Sequence, residues 1–199
     1  MLPDGFGLNR VLRAAMACLL IVSRAGAEDD IAEALEGINQ QIQAKPNDGR
    51  LLVQRSRLLA LQKKFDQALA DLDQANRLTP FAEIDRERAQ VYLAAGWYET
   101  GLEHASRHLT RQSSDAEGYA VRGRLNARLD RPAEAGKDFA AAIQHTKQPP
   151  IELYLERAQA LTTPDGAHLQ DALGTIEQAI VRVGPVVTLE SAALEIELR

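Results

Sequence analysis

Small and large apolar residues recur along the chain at intervals close to one helical hairpin. An arginine followed by a small residue marks each interval, and successive arginines lie 33, 34 and 35 residues apart. After a short break, a second run with helical periodicity follows each of them, and a small residue stands near its start. The pairs are Arg55-Ser56, Arg88-Ala89, Arg122-Gly123 and Arg157-Ala158, and the small residues of the second runs are Ala68, Gly101, Ala135 and Ala172.

This recurrence of residue size, rather than of residue chemistry, indicates packing between antiparallel helices. Two helices approach closely only where the side chains at their crossing point are small. Three second runs carry a further alanine seven residues on, at Ala75, Ala142 and Ala179, and the other has His108 there. Larger side chains should fill the space beside the crossings: Leu59, Tyr92, Phe139 and Ile176. The pattern therefore predicts four hairpins that share one mode of packing.

The pattern resembles the tetratricopeptide repeat, a helix–turn–helix unit of about 34 residues. Its clearest copy is PNDGRLLVQRSRLLALQKKFDQALADLDQANRLTP, from Pro46 to Pro80, and Gly96 stands at the family's turn glycine. The tryptophan typical of the family's first helix is absent. In the second repeat the polar Asp85 stands at its position, so the alignment of this repeat could be shifted by one residue. The resemblance implies an all-α fold, a right-handed α-solenoid of about four full units with a flanking helix at each end.

Residues 28–199 are expected to form the repeat domain. Units are predicted near residues 49–80, 82–113, 116–148 and 151–184, and lone helices near residues 30–44 and 187–199. The last helix stands where a further hairpin would begin. The sequence therefore leaves open that the chain is part of a longer protein, or that another subunit covers this helix.

Residues 1–27 have the layout of a secretory signal peptide. Arg10 and Arg13 precede an apolar run at residues 14–22, and small residues at 25–27 form a cleavage site. A retained anchor and a lipidated Cys18 are the alternatives. Cleavage after Ala27 would remove the only cysteine, so the mature chain would hold no disulfide. We therefore expect an exported bacterial protein, periplasmic or secreted, with no stable membrane span after signal removal.

Net charge, missing motifs and the placement of the histidines argue against three classes of function. A net charge of −5 argues against nucleic-acid binding, which requires a basic surface. The sequence contains no nucleophile motif and no phosphate-binding glycine loop. His104 and His108 have a spacing that suits a metal, but no third ligand is evident and His108 occupies a packing position. We therefore expect no enzymatic activity, no metal and no cofactor.

In the family that the repeat resembles, ligands bind in a concave groove lined by the first helix of each unit. Spaced arginines bind carboxylates well, so a protein or peptide partner is expected, and an acidic one would suit them. The alternative is that these arginines pair with Glu83, Glu87 and Glu117 of neighbouring helices. The residues predicted to bind the ligand are Arg57, Arg86, Gln90, Arg124 and Arg128.

The arginines of the arginine–small pairs should be structural, because their stems would cover apolar surface along the stack. The protein should be a non-catalytic binding scaffold or adaptor in the bacterial cell envelope. The alternatives are an accessory domain of a larger enzyme or multidomain protein that continues past residue 199, and a purely structural spacer.

Overall fold

The computed structural model describes residues 29–80 and 82–198, in which every regular element is a helix. The predicted signal peptide, residues 1–27, lies outside the described residues. Within them, no helix combines the length and the apolar character needed to cross a bilayer. The helices are α1 at residues 29–44, α2 Gly49–Leu61, α3 Phe65–Leu78, α4 Ile84–Ala95, α5 Tyr98–Arg111, α6 Ala116–Arg128, α7 Pro132–His145, α8 Ile151–Leu161, α9 Leu169–Val183 and α10 Val187–Glu197.

These helices fall into two compact units that divide after Leu78. The first unit holds α1, α2 and α3, and α2 pairs with α3 as the first hairpin. The second unit holds the other helices. Its hairpins are α4 with α5, α6 with α7, and α8 with α9, which are the second, third and fourth hairpins along the chain. Within this unit α5 also packs on α6, α7 packs on α8, and α10 packs on α9.

The small residues lie at buried helix crossings, as their spacing predicts. A methyl group added to Gly101 would lie 2.8 Å from the Leu125 side chain, and one added to Gly123 would lie 3.2 Å from the Phe139 ring. A larger side chain at such a crossing would force the helices apart, at a cost of about 1–3 kcal/mol. The completely buried small residues include Ser56, Ala89, Ala68, Ala75, Ala135, Ala142, Ala172 and Ala179.

Three hairpins turn through a left-handed residue at the same repeat position. Gly96 has a φ of 83°, and the corresponding Lys63 and Asp130 have φ of 59° and 55°. A side chain in this region costs roughly 1–2 kcal/mol, so the packing of the hairpin has to hold Lys63 and Asp130 there. Trp97, the only tryptophan of the sequence, follows Gly96 and is half-exposed, with its ring centroid 5.9 Å from that of Tyr92.

The first helices of the hairpins begin differently. Asp48 caps α2 by accepting from the Arg50 N–H at 3.0 Å, and Asp115 caps α6 by accepting from the Glu117 N–H at 3.2 Å. Such a cap stabilises a helix by about 1 kcal/mol. Helix α8 begins after Pro150, which forms no side-chain cap. The third and fourth hairpins therefore differ already at their first residue.

Candidate functional site

A connected row of polar side chains crosses the first helices of the second unit, where α6 lies beside both α4 and α8. Gln90 of α4 donates to Oε1 of Glu117 at 3.3 Å. Arg124 of α6 has Nη1 3.7 Å from the same oxygen, and its Nε donates to Oε2 of Glu156 on α8 at 2.9 Å. We call Gln90, Glu117, Arg124 and Glu156 the polar ladder.

The ion pairs of the polar ladder are accessible to solvent. The side chains of Arg124, Glu117 and Glu156 are 36%, 50% and 32% exposed. Ion pairs in such a setting contribute only about 0–1 kcal/mol, because water screens them and ordering long side chains costs entropy. Groups of a partner can therefore replace them at little cost. Because one arginine lies between two glutamates, a purely acidic ligand would meet repulsion here.

Arg86 lies deeper than the ladder and has internal partners. Its Nη1 donates to Asp115 at 2.7 Å and its Nη2 donates to Glu87 at 3.3 Å. Burial lowers the pKa of Arg86, but the hydrogen bonds and charges of Asp115 and Glu87 together outweigh this effect, so the pKa of the guanidinium is raised. The sequence offered pairing with glutamates of neighbouring helices as the alternative to ligand binding, but Arg86 and Glu87 both belong to α4, and Arg124 and Glu117 both belong to α6.

Two further predicted binding residues, Arg128 and Arg57, are not members of the polar ladder. Arg128 is exposed at the last position of α6. Arg57 belongs to the first unit, where it lines a cleft of about 450 Å³ together with Ile38 and Gln41 of α1. The structure therefore brings Gln90 and Arg124 together through Glu117, whereas Arg57 lines a cleft of the first unit.

His108 replaces the expected alanine because it forms a buried polar contact between the second and third hairpins. Its side chain is completely buried. Nδ1 lies 3.1 Å from the carbonyl oxygen of Ala82, and Nε2 lies 2.6 Å from Oδ2 of Asp115. A carbonyl and a carboxylate oxygen are both hydrogen-bond acceptors, so His108 joins two acceptors from different parts of the chain. Burial raises the pKa of Asp115. The hydrogen bonds from His108 and Arg86 have the larger, opposite effect, so the pKa lies below its ordinary value.

Asp85, the polar residue that interrupts the apolar pattern of the second hairpin, is a buried hydrogen-bond acceptor. Ile84 and Asp85 are both buried, and the carboxylate of Asp85 lies 2.8 Å from Nδ1 of His104. Arg107 and Arg111 also donate to it, at 3.2 and 3.1 Å. His104 and His108 therefore face different carboxylates. Within the described residues, no group of three or more His, Cys, Asp and Glu side chains is arranged to hold a metal ion.

An arginine–aspartate pair recurs inside two hairpins, and the sequence analysis missed it. Arg55 donates from Nε and Nη2 to Asp71 at 2.7 and 2.6 Å. Arg122 donates in the same way to Asp138, at 3.0 and 2.6 Å, and Asn126 adds a bond to this carboxylate at 2.9 Å. In both hairpins the aspartate follows the arginine by 16 residues, a spacing that could have revealed the pair. The arginines are thus structural through hydrogen bonds rather than through their stems alone.

Comparison with solved structures shows that the chain has the fold of a helical-repeat protein. The similar structures also identify the kind of repeat. TTC0263, a thermophilic tetratricopeptide-repeat (TPR) protein of Thermus thermophilus, matches with a TM-score of 0.67 and 17% identity, over 91% of this chain and 97% of that one. YrrB, described as a TPR protein with an unusual peptide-binding site, matches with a TM-score of 0.61 and 16% identity, over 82% and 84%. MamA of Desulfovibrio magneticus RS-1 matches with a TM-score of 0.61 and 17% identity, over 84% and 93%.

These similarities show the fold. No family model matches the sequence, and no curated protein matches it. The chain has the tetratricopeptide-repeat fold, and the predicted fold class, an all-α solenoid of such hairpins, is confirmed. What the protein binds has to be argued from its own side chains, because one fold carries many functions.

Proposed function

We propose that the protein is a non-catalytic scaffold that binds a protein or peptide across its first helices, in the envelope of a bacterium. The observation that carries this proposal is the polar ladder, a row of exchangeable contacts that crosses three first helices. The similarity of fold to YrrB, a protein described as having a peptide-binding site, supports the choice of ligand. The leader-like pattern of residues 1–27 supports the location.

The ladder also specifies the partner's chemistry. A carboxylate of the partner would replace Glu156 on Arg124, and its amide or basic groups would bind Glu117 and Glu156. The preferred partner would therefore carry charges of both signs, which refines the acidic ligand expected from the arginines alone. Arg128 would extend the contact at the end of α6, whereas Arg86 would position Asp115 and the start of this helix.

The test is photo-crosslinking in the native host, with a photoreactive residue in place of Gln90 in the full chain. This crosslinking chain without further change would be compared with the same chain carrying Arg124→Glu or Lys137→Glu. Lys137 is an exposed cation on α7, a second helix, so it is the matched control for charge reversal. We expect one dominant crosslinked partner that is lost with Arg124→Glu and kept with Lys137→Glu.

Other outcomes point to the alternatives. A partner that survives Arg124→Glu would contradict binding through the ladder. No crosslinked partner in any variant would favour a structural spacer. A crosslink to a catalytic domain continuous with this chain would favour the accessory-domain alternative. Fractionation of the host's envelope in the same experiment tests the location, and recovery of the protein only from the cytoplasm would contradict it.

A further inference from the structure

The fourth hairpin keeps the repeated arginine but lacks its aspartate. In the first and third hairpins the aspartate stands three residues after the small residue of the second helix, at Asp71 and Asp138. The same position in the fourth hairpin is Thr175, which is buried and donates its hydroxyl to the carbonyl of Asp171 in its own helix at 2.7 Å. Arg157 is therefore left without the carboxylate that Arg55 and Arg122 contact.

The consequence is visible at the guanidinium of Arg157. Its Nε is buried and has no hydrogen-bond partner among the described residues. Burial lowers the pKa of Arg157, and the charge of Asp171 offsets only part of this effect. The pKa of Arg122 is raised instead, first of all by its hydrogen bond to Asp138. A buried donor without an acceptor is costly, so an acceptor from outside would be bound favourably.

Arg157 faces a cleft that gathers further cations. The cleft has a volume of about 600 Å³ and lies between α7, α8 and α9. Lys147 and Arg182 also line it, with the polar side chains of Gln144 and Gln178. Arg182 donates from Nη2 to the Lys147 carbonyl at 2.8 Å, which holds these two cations together. Within residues 29–80 and 82–198, no carboxylate forms an ion pair with Arg157, Lys147 or Arg182.

The equivalent cleft of the third hairpin shows what is missing. It has a volume of about 510 Å³ and is lined by Arg122, Arg131 and Lys137, but also by the carboxylates of Glu134 and Asp138. Three cations thus line each cleft, and only the earlier cleft contains acidic side chains of its own. The Arg122–Asp138 contact also shows the geometry that a bound carboxylate can adopt, with Nε and Nη2 both donating to it.

We propose that the cleft around Arg157, Lys147 and Arg182 binds a carboxylate from outside the chain, which takes the place that Asp138 holds in the third hairpin. A small dicarboxylate and an acidic side chain of a partner protein both supply this group. The site lies beside the second helices α7 and α9, apart from the polar ladder, and does not depend on the proposed function. Loss of binding at one site leaves the other intact.

The test uses the full chain labelled with nitrogen-15 and follows the Arg157 Nε–H signal by NMR. Sodium succinate and an acidic aspartyl peptide would be titrated, with sodium chloride at equal ionic strength as the control for screening. We expect a saturable shift with both carboxylates and none with chloride. Tighter binding of the peptide would identify a protein as the natural source, and tighter binding of succinate would identify a small molecule.

Three variants test the assignment. Arg157→Gln should weaken binding about tenfold or more, because it removes a charged donor pair. Because this variant has no Arg157 signal, its binding is followed through the backbone amide signals of α8. Lys147→Gln with Arg182→Gln, both at exposed positions, should weaken it about threefold through lost charge. Thr175→Asp should supply the carboxylate internally, so that succinate no longer binds. Lys137→Gln is the matched control and should leave binding unchanged.

The proposal would be overturned by a succinate response no larger than that of chloride, or by binding that survives Arg157→Gln. A response to phosphate without one to succinate would also overturn it, since the site would then not be a carboxylate site.

Discussion

Arg122 in the third hairpin and Arg157 in the fourth stand at the same position of the repeat, each one residue before a buried small residue. Both hairpins fill the space beside the crossing with one large side chain, Phe139 in the third and Ile176 in the fourth. Arg122 meets Asp138, whereas Arg157 has a buried Nε without a partner in the described part of the chain. The sizes of the buried side chains therefore recur in both hairpins, whereas the polar partner of the repeated arginine differs between them.

The largest expected effect tests whether the packing of these two hairpins is equivalent. Phe139→Ala and Ile176→Ala should each lower the free energy of unfolding by about 3–5 kcal/mol, because both side chains are at most 1% exposed and leave a cavity. Urea unfolding followed by circular dichroism measures this. Val181→Ala, on an exposed position of α9, should change it by less than about 0.5 kcal/mol. A large loss in only one hairpin would mean that the shared packing is wrong.

A smaller loss of stability is expected when the third hairpin is given the threonine that the fourth hairpin has at the aspartate position. Asp138→Thr removes the carboxylate that Arg122 and Asn126 share, and it should cost about 2–3 kcal/mol because their donors lose an acceptor. Urea unfolding again measures the change. Glu134→Thr, an exposed acidic position on the same helix, serves as the control and should have little effect. If both variants were equally stable, the internal pair would not be a source of stability.

The smallest expected change in stability comes from Asp115, which caps the start of α6, and it depends on pH. Contacts with His108 and Arg86 hold the pKa of Asp115 below its ordinary value, so its charge stabilises the folded state above about pH 4, and this contribution is lost as the pH falls further. The gap in stability between the wild type and Asp115→Asn should therefore narrow as the pH falls below about 4, through the lowered pKa of Asp115 in the folded state.

Unfolding curves at several pH values measure this gap. Glu152→Gln, at an exposed carboxylate in the first turn of α8, is the corresponding control in the fourth hairpin. A gap for Asp115→Asn that stays constant with pH would contradict the role given to its ion pairs.

The sequence was sufficient for the hairpins because residue size decides how closely helices cross, and size can be read from the letters. It was insufficient for the polar contacts, which depend on the offset between two helices and on the rotamers of long side chains. Asp85 suggested an error of register, yet it is a buried acceptor for His104, Arg107 and Arg111. Glu156 gave no sign in the sequence that it would pair with Arg124.

Trp97 makes the cooperativity of this array observable without a label. It is the only tryptophan in the sequence and lies at the turn of the second hairpin, so intrinsic fluorescence reports that turn while circular dichroism reports all helices. In a repeat array each hairpin is stabilised mainly by its neighbours, and unfolding can begin in one part. Coincident transitions by the two signals would mean that the hairpins unfold together, and separate transitions would mean that the second hairpin unfolds independently of the rest.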